Sequence, residues 1–521
     1  MSRLGYIGFL IGPALAVALV GVVPAAGQSS PANVTATHAP GAGGTEPSAT
    51  ATAPSSPTTD ADDAAAAATQ PAPVATAPAR PPAAPGPGAR FLSRAWNGVP
   101  QPEPPDYARP LSRSGIPGTE ELTWLDFGLD HRTRYEYRDD DYRKPRLGVD
   151  DPFLMRSRGY IGVREVTDPL RLGFEFRDSR ILNSDFPDTT GVVDEHDILQ
   201  AYGELYFADA LGDGQPFRFQ FGRLSFSWLD DRLFARGGWA NNNTAFDGFR
   251  LRAGDPKSKW ELDFLAAAPV EVRFRRPDGP DDERWFYGLV GSWRGWSDVV
   301  TLEPFYFILD EDRKGLPTRL DREIHTFGLR AYGPIGATGF DYDVTGVYQF
   351  GEDGDRDQRA FAGWGELGYR IPHEWKPRIS ASCHYASGDR DPTDLINERF
   401  DKLFGSSSVL SRLEMFNLSN LIMPRARFEF QPHERIRFDT SYAAYFLASD
   451  NDAWTATGRR DPLGNSTDFI GQEIDCRLRF ALDRRMDLEV GYSYFMTGDF
   501  TQKTGPADDS DFFYVATTLR F

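Results

Sequence analysis

From Leu122 to the last residue the chain repeats with a period of two. Leu125, Phe127, Leu129, Tyr135 and Tyr137 share one side of an extended segment, and Asp126, Asp130, Arg132, Arg134, Glu136 and Arg138 share the other. Successive strand side chains point to opposite faces, so the pattern predicts a strand with one apolar and one charged face. Two later segments repeat it. Ile436, Phe438, Tyr442 and Phe446 oppose Arg435, Arg437, Asp439 and Ser441, while Ile474, Cys476, Leu478 and Phe480 oppose Glu473, Asp475, Arg477 and Arg479. Segmenting on this period predicts eighteen strands, at 122–138, 153–166, 169–180, 197–208, 216–227, 245–254, 258–268, 284–296, 298–310, 323–333, 339–350, 360–371, 376–388, 421–431, 434–448, 468–481, 485–497 and 511–521. Short turns at Thr167-Asp168, Asp255-Pro256-Lys257, Ser297, Pro432-His433 and Asp483 are predicted to alternate with long loops at 139–152, 181–196, 228–244, 269–283, 311–322, 389–420, 449–467 and 498–510.

An even strand number with alternating short and long connections predicts an all-β fold: a transmembrane antiparallel barrel in the bacterial outer membrane, both termini periplasmic. A soluble sandwich or propeller also alternates. Three features weigh against it. Strands this long match a tilted bilayer crossing. A charged second face on nearly every strand suits a wet lumen and not a dry sandwich core. The last strand, with Phe513, Val515, Thr517, Leu519 and Phe521 in step, ends on an aromatic as barrel strands do.

Composition sharpens the picture. In 521 residues there are 50 Gly, 39 Pro and 13% aromatics, but no apolar run of helical-span length after the first 25 or so. Met1–Gly27 reads as a signal peptide, with Arg3, an apolar stretch from about Tyr6 to Val23, and small Ala25, Ala26 and Gly27. Residues 28–95, rich in Ala, Pro and Thr, read as a disordered periplasmic linker, and 120–521 as the barrel. The net charge of −19 argues against a nucleic-acid partner. Only seven of the 57 basic residues are Lys, leaving 50 Arg, whose planar forks grip carboxylates.

With the charged face taken as the lumen, Arg132, Arg134, Arg156, Arg158, Arg425, Arg427, Arg435, Arg437, Arg477 and Arg479 line the pore, which selects for anions. Asp139-Asp140-Asp141, Asp194-Glu195 and Asp281-Asp282-Glu283 in the loops are solvated charge or sites for divalent cations shared with lipopolysaccharide. No nucleophile elbow accompanies the histidines. His384 lies two residues from Ser382 on one strand face, which chance explains. No catalysis, cofactor or metal is predicted, and Cys383 and Cys476 fall on strands too far apart to bridge.

Gly222-Arg223-Leu224-Ser225-Phe226, then Asp231-Arg232-Leu233, Trp239, Asn241 and Phe246–Leu251, resemble a signature of the alginate export family of outer-membrane proteins. Ser387-Gly388-Asp389 followed by Phe400–Phe404, and the run from Phe513 to Phe521, resemble two further family motifs. The resemblance implies an 18-stranded monomeric barrel whose arginine-rich constriction passes an anionic uronate polysaccharide outward, beside periplasmic export partners and within lipid and lipopolysaccharide. It places Arg223, Asp231, Arg232 and Arg250 on that path. Leu224 stands where the family often has Gln, and Thr244 where it often has Arg. Strict alternation puts Arg223 on the lipid side; a bulge at Gly222 would turn it inward. The alternative function is a general anion-preferring porin for small acidic solutes, with 389–420 as a constriction or a lid.

Overall fold

The computed structural model describes residues 104–273, 276–295, 297, 299–312 and 321–521. The expected signal peptide and linker lie outside the described residues. Eighteen strands form the wall. They are β1 Leu125–Asp139, β2 Phe153–Val163, β3 Leu170–Leu182, β4 Asp194–Phe207, β5 Phe217–Leu224 and β6 Phe246–Ala253. Next come β7 Trp260–Glu271, β8 Arg284–Trp293, β9 Thr301–Glu311, β10 Arg322–Pro334, β11 Phe340–Asp353 and β12 Arg356–Arg370. The last are β13 Arg378–Ala386, β14 Leu421–His433, β15 Ile436–Phe446, β16 Phe469–Ala481, β17 Met486–Thr497 and β18 Ser510–Arg520. Each pairs antiparallel with its chain neighbours. β1 pairs with β18, Tyr135 opposite Val515, so the sheet has no free edge. The terminal Phe521 extends that seam through reciprocal backbone bonds with Leu129 of 2.9 and 3.0 Å.

The period-two pattern sorts as expected. On β1 the charged row, Asp126 to Arg138, is buried inside the barrel, while Leu129 on the other row is 46% exposed. Ile161, Phe249, Phe327, Phe361 and Leu519 are likewise exposed on the outer face, where lipid meets them. Long loops gather at one end, with one departure from strict alternation. Gly354-Asp355 joins β11 to β12 there in a two-residue turn, with Gly354 at φ 64°. At the other end several strands stop short of expectation: β8 ends at Trp293, β9 begins at Thr301, and residues 208–216 join β4 to β5.

The lumen is not wet throughout. Two outer loops, 225–245 and 387–420, fold into the barrel and meet at a Phe234–Phe404 bridge. The inner faces of β6 to β10 are apolar there, so Phe234 stacks on Phe246 (4.7 Å between centroids), Trp228 on Phe307 (5.7 Å), and Phe404 edge-on to Phe286 (5.2 Å). Each ring so buried stabilises the fold by about 1.5–3 kcal/mol. The outer half of the lumen is therefore a packed core, contrary to the expectation of a charged inner face on nearly every strand. At the inner end, residues 105–110 run against Gly128, where a side chain would collide with Tyr107 O at 2.6 Å and Ala108 Cα at 2.7 Å.

Candidate functional site

Below the loop core, at the short-turn end, lies a cavity of about 480 Å³ walled by β1, β2 and β14 to β18 and roofed by Gly238, Trp239 and Arg412. Nine arginines line it against five carboxylates. Seven are among those expected in the pore: Arg132, Arg156, Arg158, Arg435, Arg437, Arg477 and Arg479. Several are neutralised locally. Arg158 holds Asp130 at 2.9 Å, Arg477 and Arg479 reach Asp439 at 3.1 and 3.4 Å, and Arg520 pairs with Asp487. Among the described residues the Arg435 guanidinium bonds the Leu482 carbonyl alone, at 3.4 Å.

The roof is a strap held by the wall. Arg132 donates to the carbonyls of Gly238, Trp239 and Ala240 at 3.2, 2.9 and 3.1 Å, and Arg156 to Gly238 and Ala240 at 3.1 and 2.9 Å. Arg134 adds a bond to Trp239 O at 2.8 Å, and its guanidinium lies 3.9 Å from the Trp239 ring centre. Asn241 fastens the strap's far side through its amide to Met155 O, Arg180 O and Val192 O. Carbonyls satisfy N–H groups without cancelling charge. Among the described residues neither Arg132 nor Arg156 has a carboxylate within 4.0 Å, so both remain net positive. Burial and the neighbouring Arg477 push the Arg412 guanidinium below its ordinary value.

A second feature was not legible in the sequence. Glu175 on β3 is fully buried and accepts two bonds from Arg236 of the strap loop at 2.6 Å, one from Tyr107 at 2.5 Å, and one from Gln200. It thus links the inner-end segment to the outer loop. The one sequence signal was Gly128 in an otherwise alternating strand, which marks close approach of another backbone.

The remaining expected residues lie elsewhere. Arg134 pairs with Glu136 at 2.7 Å; Arg425 bonds Val409 O at 3.2 Å and Leu410 O at 3.4 Å; Arg427 is 3.8 Å from Glu366. Arg232 bonds Asp230 at 2.6 Å and His384 at 3.0 Å, which leaves His384 as an acceptor inside the loop core. Arg250 holds Asp263 at 2.6 Å under the Phe226 ring. Burial pushes Asp231 up to about 6. None of Arg223, Asp231, Arg232 and Arg250 lines the vestibule.

The inward turn expected for Arg223 is corrected by the register. Pairing runs unbroken through Gly222 on both sides, with no bulge, although Gly222 has φ 116°. Arg223 therefore stays in the outward row of Phe221 and Phe249. Its charge is met at the outer rim by Asp247 at 2.8 Å and by the Ile198 and Asp278 carbonyls at 3.2 Å. Close by, Asp194, Asp197 and Asp278 converge within 4.8 Å. Arg177, paired with Asp194, and Arg223, 3.6 Å from Asp197, supply countercharge to that group.

Residues 123–515 match the family model described as alginate export. A comparison with curated proteins gives no match. Among solved structures, OccK8 (OprE) of Pseudomonas aeruginosa aligns at TM-score 0.52 and 12% identity, covering 76% of this chain and 98% of that one. Acinetobacter baumannii OccAB2 aligns at 0.51 and 12%, with 76% and 98% covered. The outer membrane protein OprD of P. aeruginosa aligns at 0.50 and 10%, with 76% and 94% covered. At such identities the likeness is one of fold.

Proposed function

Since the chain belongs to the alginate export family and is an outer-membrane channel, we propose that it carries an acidic, uronate-type polysaccharide from periplasm to exterior, with the vestibule as inlet. The observation behind this reading is the guanidinium surplus, nine arginines against five lining carboxylates and Asp439 behind the wall, around one cavity. Such a surplus concentrates anions at the mouth. The strap's carbonyls leave the charge of Arg132 and Arg156 uncancelled, so a carboxylate gains an ion-pair attraction there that a carbonyl lacks. An anionic chain thus displaces Gly238–Ala240 from the wall, whereas a neutral solute has no such advantage. Successive sugar units then occupy and release the same guanidinium groups in turn.

A general anion-preferring porin for small acids is the competing reading, favoured by the loop core that fills the outer lumen. The two separate in a host whose acidic exopolysaccharide leaves through this protein. Arg435→Glu with Arg437→Glu is expected to cut secretion roughly tenfold or more with the barrel still assembled at the surface. Normal secretion by that variant, with only a shifted ion preference, supports the porin.

A further inference from the structure

A second cavity, of about 490 Å³, opens at the outer end between the wall and loop 387–420. Its guanidinium groups are bound to acids. Arg284 pairs with Glu311 at 2.5 Å, Arg322 with Glu311 at 2.8 Å and Asp353 at 3.1 Å, and Arg399 with Asp452 at 2.7 Å. Lys402 differs. Its ammonium donates to two neutral oxygens, Asn417 Oδ1 at 3.1 Å and Ser407 Oγ at 3.3 Å. Among the described residues no carboxylate lies within 4.0 Å of it. One of its three N–H groups is left for the cavity it lines.

The backbone there is fixed. Gln349 on β11 exchanges two 2.8 Å bonds with the Asp401 peptide groups, and Gly405 N donates to Lys402 O at 3.0 Å. The Phe400 ring beside it is fully buried. A charge held in place, partly desolvated and met only by neutral oxygens is costly unless an anion completes it. Burial lowers the Lys402 ammonium below its ordinary value, against a smaller opposing pull from the Glu414 and Asp401 carboxylates beyond ion-pair distance. In a chain with 50 Arg and seven Lys, a point charge stands here instead of a bidentate fork. A single ammonium grips one carboxylate oxygen and lets it go readily.

We propose that Lys402 is the anion-recognition point of an exit-side subsite for a carboxylated saccharide, with Asn417 and Ser419 beside it for sugar hydroxyls. The proposal rests on the acidic-polymer reading above but on different residues. The test is calorimetric titration of the detergent-solubilised full chain with trigalacturonate, maltotriose serving as the neutral control. In an Arg435→Glu/Arg437→Glu background, which disables the inlet, residual trigalacturonate binding is expected. Adding Lys402→Met should weaken it about tenfold or more, and Lys402→Arg should largely keep it. Lys402→Gln, which can still donate to Asn417 and Ser407, should also lose binding while matching the parent's thermal unfolding, which separates recognition from loop stability. Residual binding unchanged by Lys402→Met, or equal binding of maltotriose, overturns the proposal. No residual binding in that background, with binding in the wild type, overturns it and leaves the inlet reading standing. No binding by the wild type overturns the acidic-cargo reading itself.

Discussion

The two ends of the lumen hold cavities of nearly equal size, about 480 and 490 Å³, built from the same residue type with opposite effect. At the outer end Arg284, Arg322 and Arg399 are each pinned to carboxylates, which tie neighbouring strands together (Arg284 and Arg322 to Glu311), loop to wall (Arg322 to Asp401) and loop to loop (Arg399 to Asp452). At the inner end the hydrogen bonds of Arg132, Arg156 and Arg435 go, among the described residues, to backbone carbonyls and the Asn241 amide oxygen. An arginine count along the sequence cannot tell these apart. What decides whether a guanidinium attracts a solute is whether a carboxylate already stands within ion-pair reach, because paired charges are nearly silent at a distance.

Glu175 is where the halves meet, and removing its charge should have the largest effect. Glu175→Gln leaves Arg236 and Arg158 in the lumen without their shared acid and replaces the acceptor that Tyr107 bonds at 2.5 Å. Breaking a buried pair in this way is expected to destabilise the barrel by about 3 kcal/mol or more, read from urea unfolding in detergent. A loss below about 1 kcal/mol would mean that the two ends are held independently of this link.

The contrast itself predicts a smaller, selective effect on conductance. Neutralising Arg435 with Arg435→Gln removes an uncompensated charge and should lower anion preference severalfold, seen as a shift in reversal potential across a planar bilayer under a salt gradient. Arg399→Gln removes a charge of the same sign at the outer end, but Asp452 remains held by Arg460 at 3.2 Å, so the shift should be small. High salt should shrink the Arg435 effect as screening shortens the reach of its field. Equal shifts from both variants would erase the distinction drawn between the ends.

Much of this architecture was legible in the chain. Alternation assigned every wall strand, and the inner row of β1 from Asp126 to Arg138 is the row the sequence marks as charged. Period two is a local property imposed by the pleat, so a reading along the chain detects it. The loops follow no such rule. Nothing local to Gly238–Ala240 says that three wall arginines will seize their carbonyls, because those contacts span more than 80 residues. Arg223 shows the converse error. Its motif suggested a role in the pore and its parity suggested lipid, and the structure follows parity, with Asp247 one strand away providing the partner that an outward arginine requires. The wall arginines around the inner cavity could be placed on the inner face because the strands carry them. Arg412, Trp239 and Lys402 were not assigned to sites because loops do.

The smallest expected effect concerns pH and the joint between the two inward loops. Asp231 sits on that joint, its carbonyl accepting from Ser406 N at 2.9 Å, its backbone at φ 66° and its Oδ1 buried without a hydrogen-bond partner. Burial first, and repulsion from Asp230, push its carboxyl up to about 6, against opposing contributions from Ser227, Arg232 and Arg330. The unfolded chain releases this proton near the ordinary carboxylate value, so between that value and about 6 the folded protein binds more protons than the unfolded one. The stability tied to Asp231 is therefore complete below the unfolded value and fades as pH rises through about 6. Asp231→Asn, which stays neutral, should gain about 1–2 kcal/mol relative to wild type at pH 7.5, less than the full shift implies because Asn accepts a weaker bond from Ser227, and little at pH 4, with the crossover in that window. Asp278 at the outer rim is also pushed up to about 6 by burial, so wild-type stability keeps some slope in the variant. Urea unfolding across pH 4 to 8 reads the difference, and a variant curve parallel to wild type throughout would show that Asp231 is ionised in the fold at no cost, contrary to its buried and unpartnered oxygen.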